Sequence, residues 1–314
     1  MAVIGVDIGG TKISAALFDN NGTIICKEVQ LLSGRIGNEA GELAGKIIAN
    51  IVLKYNNTKI EGIGVCVPGI AYSKSDTVWA PNIPGWENFP LKSVIKRHTE
   101  DKIPINIDSD RTCYILGEVW MGAAKGCTDA IYIAVGTRIG AGILIDGKVL
   151  HGKSDIVGAT GWMALETPYK EEYIPVGCFE YYASGNGIAT QAKRLIKESD
   201  NYIGILSKKV VEEIVCQDVF EAYKNNDPIA MKVIEKAIQL WGMGSANLVS
   251  LFNPDKVIFG GGVFGPASEF IDDIYKEACK WGQPISMKEV TFCSTEVKDN
   301  AALLGAAYLA IKNK

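Results

Sequence analysis

Apolar and polar positions alternate along the chain in blocks of strand and helix length. Val3–Lys12 reads VIGVDIGGTK: a short apolar run with an aspartate near its end, then two glycines, a threonine and a lysine. A second apolar run, Ile13–Phe18, follows, so the pattern predicts strand, tight turn, strand. Gly9 and Gly10 are expected to take positive φ in that turn and to bring bare backbone close to a ligand. A turn at Asn20–Gly22 and a strand near Thr23–Glu28 extend this to an antiparallel meander. Ile36–Leu53 carries apolar residues at helical spacing, Ile63–Val67 is a buried strand, and Leu91–His98 is a short helix. Ile105–Ile107 is a strand leading into Asp108-Ser109-Asp110 and a helix over Arg111–Trp120.

The opening pattern then recurs. Ala123–Asp129 is small and polar and marks a domain junction. Ala130–Val135 is a strand, Gly136–Gly142 a glycine-rich turn, and Ile143–Ile145 the returning strand. Gly152–Val176 is loop-rich, and a helix begins over Phe179–Ser184. Helices are expected at Val210–Ala222, Pro228–Leu251, Ala267–Trp281 and Ala301–Ile311. Strands are expected at Val257–Phe259 and Val290–Cys293, the first opening into Gly260-Gly261-Gly262. The reading is α/β, with a boundary that divides 1–122 from 123–298.

Composition narrows the class. A chain of 314 residues suggests two domains, and a net charge of −4 without a basic cluster speaks against nucleic acid as a partner. Met1 leads directly into a strand, so no leader is expected, and no apolar run reaches membrane-spanning length; the expected location is cytoplasmic. Eight scattered cysteines with no C-x-x-C pair suggest buried, reduced thiols and neither zinc nor disulfides.

Three glycine-rich turns at strand ends, two of them in matching hairpins, favour a nucleotide site, although any one alone reads equally as a structural turn. None is a G-x-x-x-x-G-K-[ST] loop or a dinucleotide fingerprint. In the first turn Thr11 adds a hydroxyl and Lys12 a charge, while Asp7 suits a hydrated divalent cation. Asp110, where strand meets helix, suits a carboxylate that orients an acceptor hydroxyl and takes its proton, or else a helix N-cap. Spacing alone does not choose Asp110 over Asp108.

Taken together, DIGGTK (7–12), PNIPGW (81–86), SDRTCYILGE (109–118), AVGTRIGAG (134–142), GCFEYYASG (177–185), NPDKVIFGGG (253–262) and DNAALLGAA (299–307) resemble the ROK family of repressors, open reading frames and kinases. The resemblance implies the actin-like ATPase (ribonuclease H-like) fold, with two α/β domains flanking a cleft and a C-terminal helix over 299–314 packing back on the first. It implies a kinase that uses ATP and Mg²⁺ on the 6-hydroxyl of a hexose, hexose derivative or glycoside, commonly as a homodimer. By position, Asp110 matches the catalytic base. Asp7, Gly9, Gly10, Thr11 and Lys12 match the first phosphate loop, with Asp7 on Mg²⁺ through water. Gly136 and Thr137 match the second phosphate loop, and Gly260, Gly261 and Gly262 the adenosine loop. Asn82 and Glu180 match sugar contacts. The bland alternatives are a turn residue for Asn82 and a first-turn helix carboxylate for Glu180.

The departures cluster on the acceptor side. The family's Gly-Glu-x-Gly-His reads Gly158-Ala159-Thr160-Gly161-Trp162 here, and only Cys178 remains of the zinc cysteines, so no zinc is expected. Ser109 replaces an asparagine beside the base, and Arg138 replaces a glycine of the second loop. Trp162 is expected either to stack on a sugar face or aglycone or to fill space by packing. An acceptor other than plain glucose follows from the first of these. Two other classes stay in view: a sugar-binding regulator, against which the start of the chain at the hairpin counts, and an actin-like filament or chaperone ATPase, against which Asn82, Asp110 and Glu180 count.

Overall fold

The computed structural model describes residues 2–99 and 102–312. Along the chain, β1 (Ala2–Ile8), β2 (Lys12–Asp19) and β3 (Ile24–Leu31) form the opening meander. Next come α1 (Gly37–Lys54), β4 (Ile60–Val67), β5 (Ile70–Tyr72), β6 (Thr77–Trp79), α2 (Leu91–His98), β7 (Ile105–Ser109) and α3 (Asp110–Met121). A second meander of β8 (Ala130–Val135), β9 (Ile139–Ile145) and β10 (Lys148–Val149) precedes α4 (Cys178–Ala183), α5 (Gly185–Lys197), α6 (Cys216–Lys224) and α7 (Pro228–Phe252). The chain continues through β11 (Lys256–Gly260), α8 (Ile271–Trp281), α9 (Pro284–Glu289), β12 (Thr291–Ser294) and α10 (Ala301–Lys312). Residues 313–314 of the expected C-terminal helix lie outside the described residues.

The described residues form two compact units. One draws on 1–126, 149–157 and 296–314, the other on 127–148 and 158–295. The first holds a sheet ordered β3-β2-β1-β4-β7, with β1 antiparallel to β2 and parallel to β4. Its central strands are buried on both faces, which is why β1 and β4 read as nearly continuous apolar runs. On one face Ile47, Ile48 and Ile51 of α1 and Leu91, Val94 and Ile95 of α2 join the sheet residues in a single core. On the other lies α10, whose alanines and glycine allow near-contact of backbones. A Cβ on Gly64 would fall 1.7 Å from the Ala306 carbonyl oxygen, and one on Gly305 would fall 1.7 Å from that of Cys113 on α3. These positions need glycine for approach, not for conformation.

The second unit repeats the arrangement in the order β10-β9-β8-β11-β12, again antiparallel at the hairpin and parallel from β8 through β11 to β12. Its long helix α7 starts at a strong cap: Asp227 accepts from the N–H groups of Ile229 and Ala230, with Pro228 at the first helical position. It ends at Asn253 in the left-handed region. Trp241 on α7 is fully buried and donates its indole N–H to the Ala183 carbonyl at 3.0 Å.

Several boundaries differ from the sequence expectation for identifiable reasons. Neither Gly9 nor Gly10 has positive φ. The hairpin closes through Gly9 N–H to the Lys12 carbonyl at 2.9 Å, and Gly10 lies close against Asn82, where a Cβ would be 3.1 Å from that of Asn82. β9 starts at Ile139 rather than 143, so the second turn is confined to Gly136–Arg138 and two of its glycines lie within a strand. Ser184 divides the helix expected from Phe179, because its side chain accepts from Gly187 N–H at 2.9 Å and caps α5. The helix expected over 210–222 is a short 3-10 turn at Val211–Glu213 and then α6. Only Cys66, Cys113 and Cys178 of the eight cysteines are buried.

Candidate active site

In the first unit β1, β4 and β7 run parallel, so their C-terminal ends meet at one edge of the sheet, the edge where ligands bind in open α/β sheets. Asp7 stands there, opposite Ser14 on β2 and Cys66 on β4. Burial pushes its carboxyl above the ordinary aspartate value, while the Cys66 thiol, hydrogen-bonded to it, and the charges of Lys12 and Lys27 pull it back. Thr11 and Lys12 are exposed in the adjoining turn.

At the end of β7, Ser109 and not Asp110 caps α3. The Ser109 hydroxyl accepts from Thr112 N–H at 3.4 Å and is buried. Asp110 is the first helical residue, and its carboxylate accepts from Arg111 N–H at 2.8 Å and from its own N–H. Desolvation pushes the Asp110 carboxyl up to about 6, against the pull of the Arg111 charge and N–H, and the negative charge of Asp7 adds to the rise. Asp7 and Asp110 therefore sense each other electrostatically. Arg111 also donates to the Gly69 carbonyl at 3.3 Å, which ties α3 to the end of β4.

The proline-rich loop reaches the same edge. Ile83 N–H donates to Ala80 O at 3.0 Å, Ala80 N–H to Trp86 O at 2.8 Å, and the Trp86 indole N–H to Gly37 O at 2.8 Å. Trp86 stacks on Phe89 with centroids 4.7 Å apart. The closed loop holds exposed Asn82 against Gly10 of the hairpin. Asp7, the 9–12 turn, Asn82 and Asp110 thus gather at one edge of one sheet.

In the second unit the ends of β8 and β11 border a cavity of about 490 Å³, lined among others by Gly136, Thr137, Asn186, Gln217, Phe220 and Gly262. The Gly185 N–H donates to the Gly136 carbonyl at 2.8 Å, which sets the N-terminus of α5 beside the 136–138 turn. Of Gly260, which ends β11, and Gly261 and Gly262 after it, only Gly262 lines the cavity. A Cβ on Gly260 would meet the Tyr132 hydroxyl at 1.9 Å, and Gly261 has φ 89° with the Val135 carbonyl 2.5 Å from where its Cβ would be. Those two serve close packing on β8. Arg138 is exposed and outside the cavity lining.

Glu180 on α4 is buried, and its Oε2 accepts from Ile139 N–H at 2.8 Å. Burial raises its carboxyl above the ordinary glutamate value, while the Ile139 bond and the Arg138 charge lower it. Trp162 lies in a 3-10 turn at Thr160–Trp162 and is exposed. Gly161 links the two, since a Cβ there would lie 2.9 Å from Glu180 Oε2. Among the described residues no group of three or more His, Cys, Asp or Glu side chains could hold a metal, and no helix is long and apolar enough to cross a membrane.

The sequence reading passed over one pair near this edge. His151 Nε2 lies 2.7 Å from Asp108 Oδ2, and Asp108 Oδ1 accepts from Ser109 N–H at 2.7 Å. With Tyr72, Asp76, Lys92 and Asn106 the pair lines a cavity of about 380 Å³. The bond to Asp108 raises the His151 value above 6.5, with burial acting against it. No motif links residues 43 apart, so spacing held no signal for it.

The sequence profile of the ROK family matches residues 3–313. The chain belongs to the ROK family. It is 29% identical to a glucokinase of Halalkalibacterium halodurans, covering 98% of this chain and 94% of that one. It is likewise 29% identical to the xylose repressor of Caldicellulosiruptor bescii, covering 99% of this chain and 78% of the repressor. Among ROK structures, a hexokinase from Thermus thermophilus superposes with a TM-score of 0.83 at 27% identity, covering 100% of this chain and 99% of that one. A Streptomyces griseus ROK glucokinase in complex with glucose and AMPPNP gives 0.75 at 29%, covering 99% and 100%. The fold is therefore that of the ROK sugar kinases, the actin-like ATPase fold. The family holds both kinases and repressors, so membership alone does not choose between catalysis and regulation.

Proposed function

We propose that this ROK protein is an ATP-dependent carbohydrate kinase that phosphorylates a hydroxyl, the 6-hydroxyl, of a hexose, hexose derivative or glycoside. The observation that carries this is Asp110: first in its helix, relieved of capping by Ser109, and raised to about 6. A carboxylate of that value is ionised at neutral pH and still basic enough to take a hydroxyl proton as attack proceeds. The acceptor oxygen bonds to the γ-phosphorus as the bond to the β–γ bridging oxygen breaks. The proton passes to Asp110, and ADP leaves.

The other residues bind and orient. The N–H groups of Gly10 and Thr11, with the Thr11 hydroxyl and the Lys12 charge, make the first phosphate turn, and Gly136 and Thr137 make a second one. The cavity bordered by Gly262 takes the adenosine. Asp7 suits Mg²⁺ held through water, because it is a buried carboxylate at the strand end beside the phosphate turn. Magnesium, when bound, neutralises phosphate charge. Asn82 and Glu180 hold acceptor hydroxyls.

A sugar-binding regulator is the second reading, favoured by the likeness to the xylose repressor over 99% of the chain. ADP release assayed with MgATP and a panel of hexoses, glycosides and polyols separates the two. A kinase releases ADP many-fold faster with its acceptor than without. A sugar that binds by calorimetry while no panel member stimulates ADP release would overturn the kinase reading.

A further inference from the structure

The outer edge of β7 carries main-chain groups that the fold leaves unused. β7 is the last strand of its sheet and pairs only with β4. Ile63 stands opposite Ile105 and donates its N–H to the Pro104 carbonyl at 2.8 Å, so the main chain of Asn106 and Asp108 faces β4. The N–H and C=O groups of Ile105 and Ile107 therefore point the other way, and among the described residues nothing bonds them. Ile105 is buried, and buried main-chain groups are almost always paired. Asn106 and Tyr72 are half-buried, and the amide of one and the hydroxyl of the other have no partner among the described residues.

These four residues line the cavity of about 380 Å³ that β7 and the β5–β6 hairpin both border within the first unit. Bonds within its walls hold it open. His151 Nε2 lies 2.7 Å from Asp108 Oδ2, Lys92 donates to Asp76 at 2.9 Å, and the Ser73 N–H and hydroxyl bond Asp155 at 3.0 and 3.1 Å. Each charged side chain of the lining is thus committed to a neighbour. What remains is neutral and mixed: N–H donors from Ile105, Ile107 and Asn106, carbonyl acceptors from the same three residues, and the Tyr72 hydroxyl.

An ion finds no uncommitted charge in this lining. A ligand rich in hydroxyls fits it, since each hydroxyl both donates and accepts. The Tyr72 ring and Leu309 offer apolar surface to the C–H face of such a ligand. The volume falls in the range of small-molecule sites, about 300–1,000 Å³. None of Asp7, Asn82, Asp110 or Glu180 lines the cavity, so it is distinct from the acceptor contacts proposed above.

We propose that the cavity at the β7 edge is a second carbohydrate site, which takes a neutral sugar or polyol on the main chain of Ile105 and Ile107 and the Asn106 amide.

The test is calorimetry without nucleotide, with glucose, mannose, cellobiose and glycerol as probes. It is run on N82A, which weakens the acceptor contacts, and on N82A combined with N106L or with I107P. I107P deletes one outward N–H and spares the β4 ladder, because an edge strand tolerates proline where its N–H faces away from the sheet. At least one probe should bind N82A, and N106L and I107P should each weaken that binding about 10-fold or more. Thermal melts matching N82A exclude misfolding, and either variant alone decides the matter. Glucosamine and glucose 6-phosphate, the charged relatives of glucose, should bind more weakly than glucose. Binding unmoved by the variants, no binding by any probe, or tighter binding of a charged relative overturns the proposal. ADP release plays no part in this readout, so the result stands or falls separately from the kinase reading.

Discussion

Ser109 takes the capping position of α3, so the Asp110 carboxylate is free of that duty, and burial raises its affinity for protons. Two consequences can be measured. As the base, Asp110 must be ionised, so kcat should fall as pH drops through about 6 and level off above it. Replacement by asparagine should lower kcat by about 10²- to 10⁴-fold while a fluorescent nucleotide still binds; turnover within a few-fold of wild type would remove Asp110 from that role. The same shift has a stability sign. The folded value of about 6 exceeds the unfolded 3.8, so the native state holds the extra proton between them and stability falls as pH rises through that window. At neutral pH Asp110→Asn should therefore melt about 2–4 °C above wild type, a gain that disappears below about pH 4. A variant that is both inactive and more stable separates a functional carboxylate from a structural one.

At the scale of elements, the chain is more legible in its strands and long helices than in its short pieces. The repeated hairpin, α1, α7 and α10 follow from apolar period and from caps such as Asp227-Pro228. The break at Ser184, the β5–β6 pair and α9 are short and depend on contacts made by distant residues, so local pattern carries little trace of them. The glycines divide the same way. Their presence in three turns is plain in the sequence, yet Gly260 and Gly261 answer to Tyr132 and Val135 on another strand. The His151–Asp108 pair belongs to this class too. It fastens the 149–157 segment to β7, helped by Ser73, whose N–H and hydroxyl bond Asp155. Because the histidine value is raised, the pair adds stability that is whole below about 6.5 and is lost as pH rises through the raised value. His151→Gln should lower the melting temperature more at about pH 5.5 than at about pH 9. Equal losses at both would show that the pair contributes through shape and not charge.

For the whole molecule, one topology is used twice, and each copy carries a glycine turn at the matching place. The two copies differ in how they are covered. The first sheet takes α10, the last described helix, onto a face kept bare by Gly5, Gly62 and Gly64. Gly305→Ala would drive a methyl into the Cys113 carbonyl and force α10 from α3, at a cost of about 3 kcal/mol measured by urea unfolding. A loss below about 1 kcal/mol would mean that the helices separate easily.

That arrangement also sets an order of assembly during synthesis. The earliest described strand waits for the last described helix, since the faces of Gly5 on β1 and Gly64 on β4 are closed by residues 301–312. Most of the second unit, 158–295, is contiguous and can close while the first still exposes an apolar sheet face. The nascent chain thus carries an unfinished, aggregation-prone surface while residues 158–295 are made, and the same glycines that allow such close packing leave that face thinly shielded until α10 arrives.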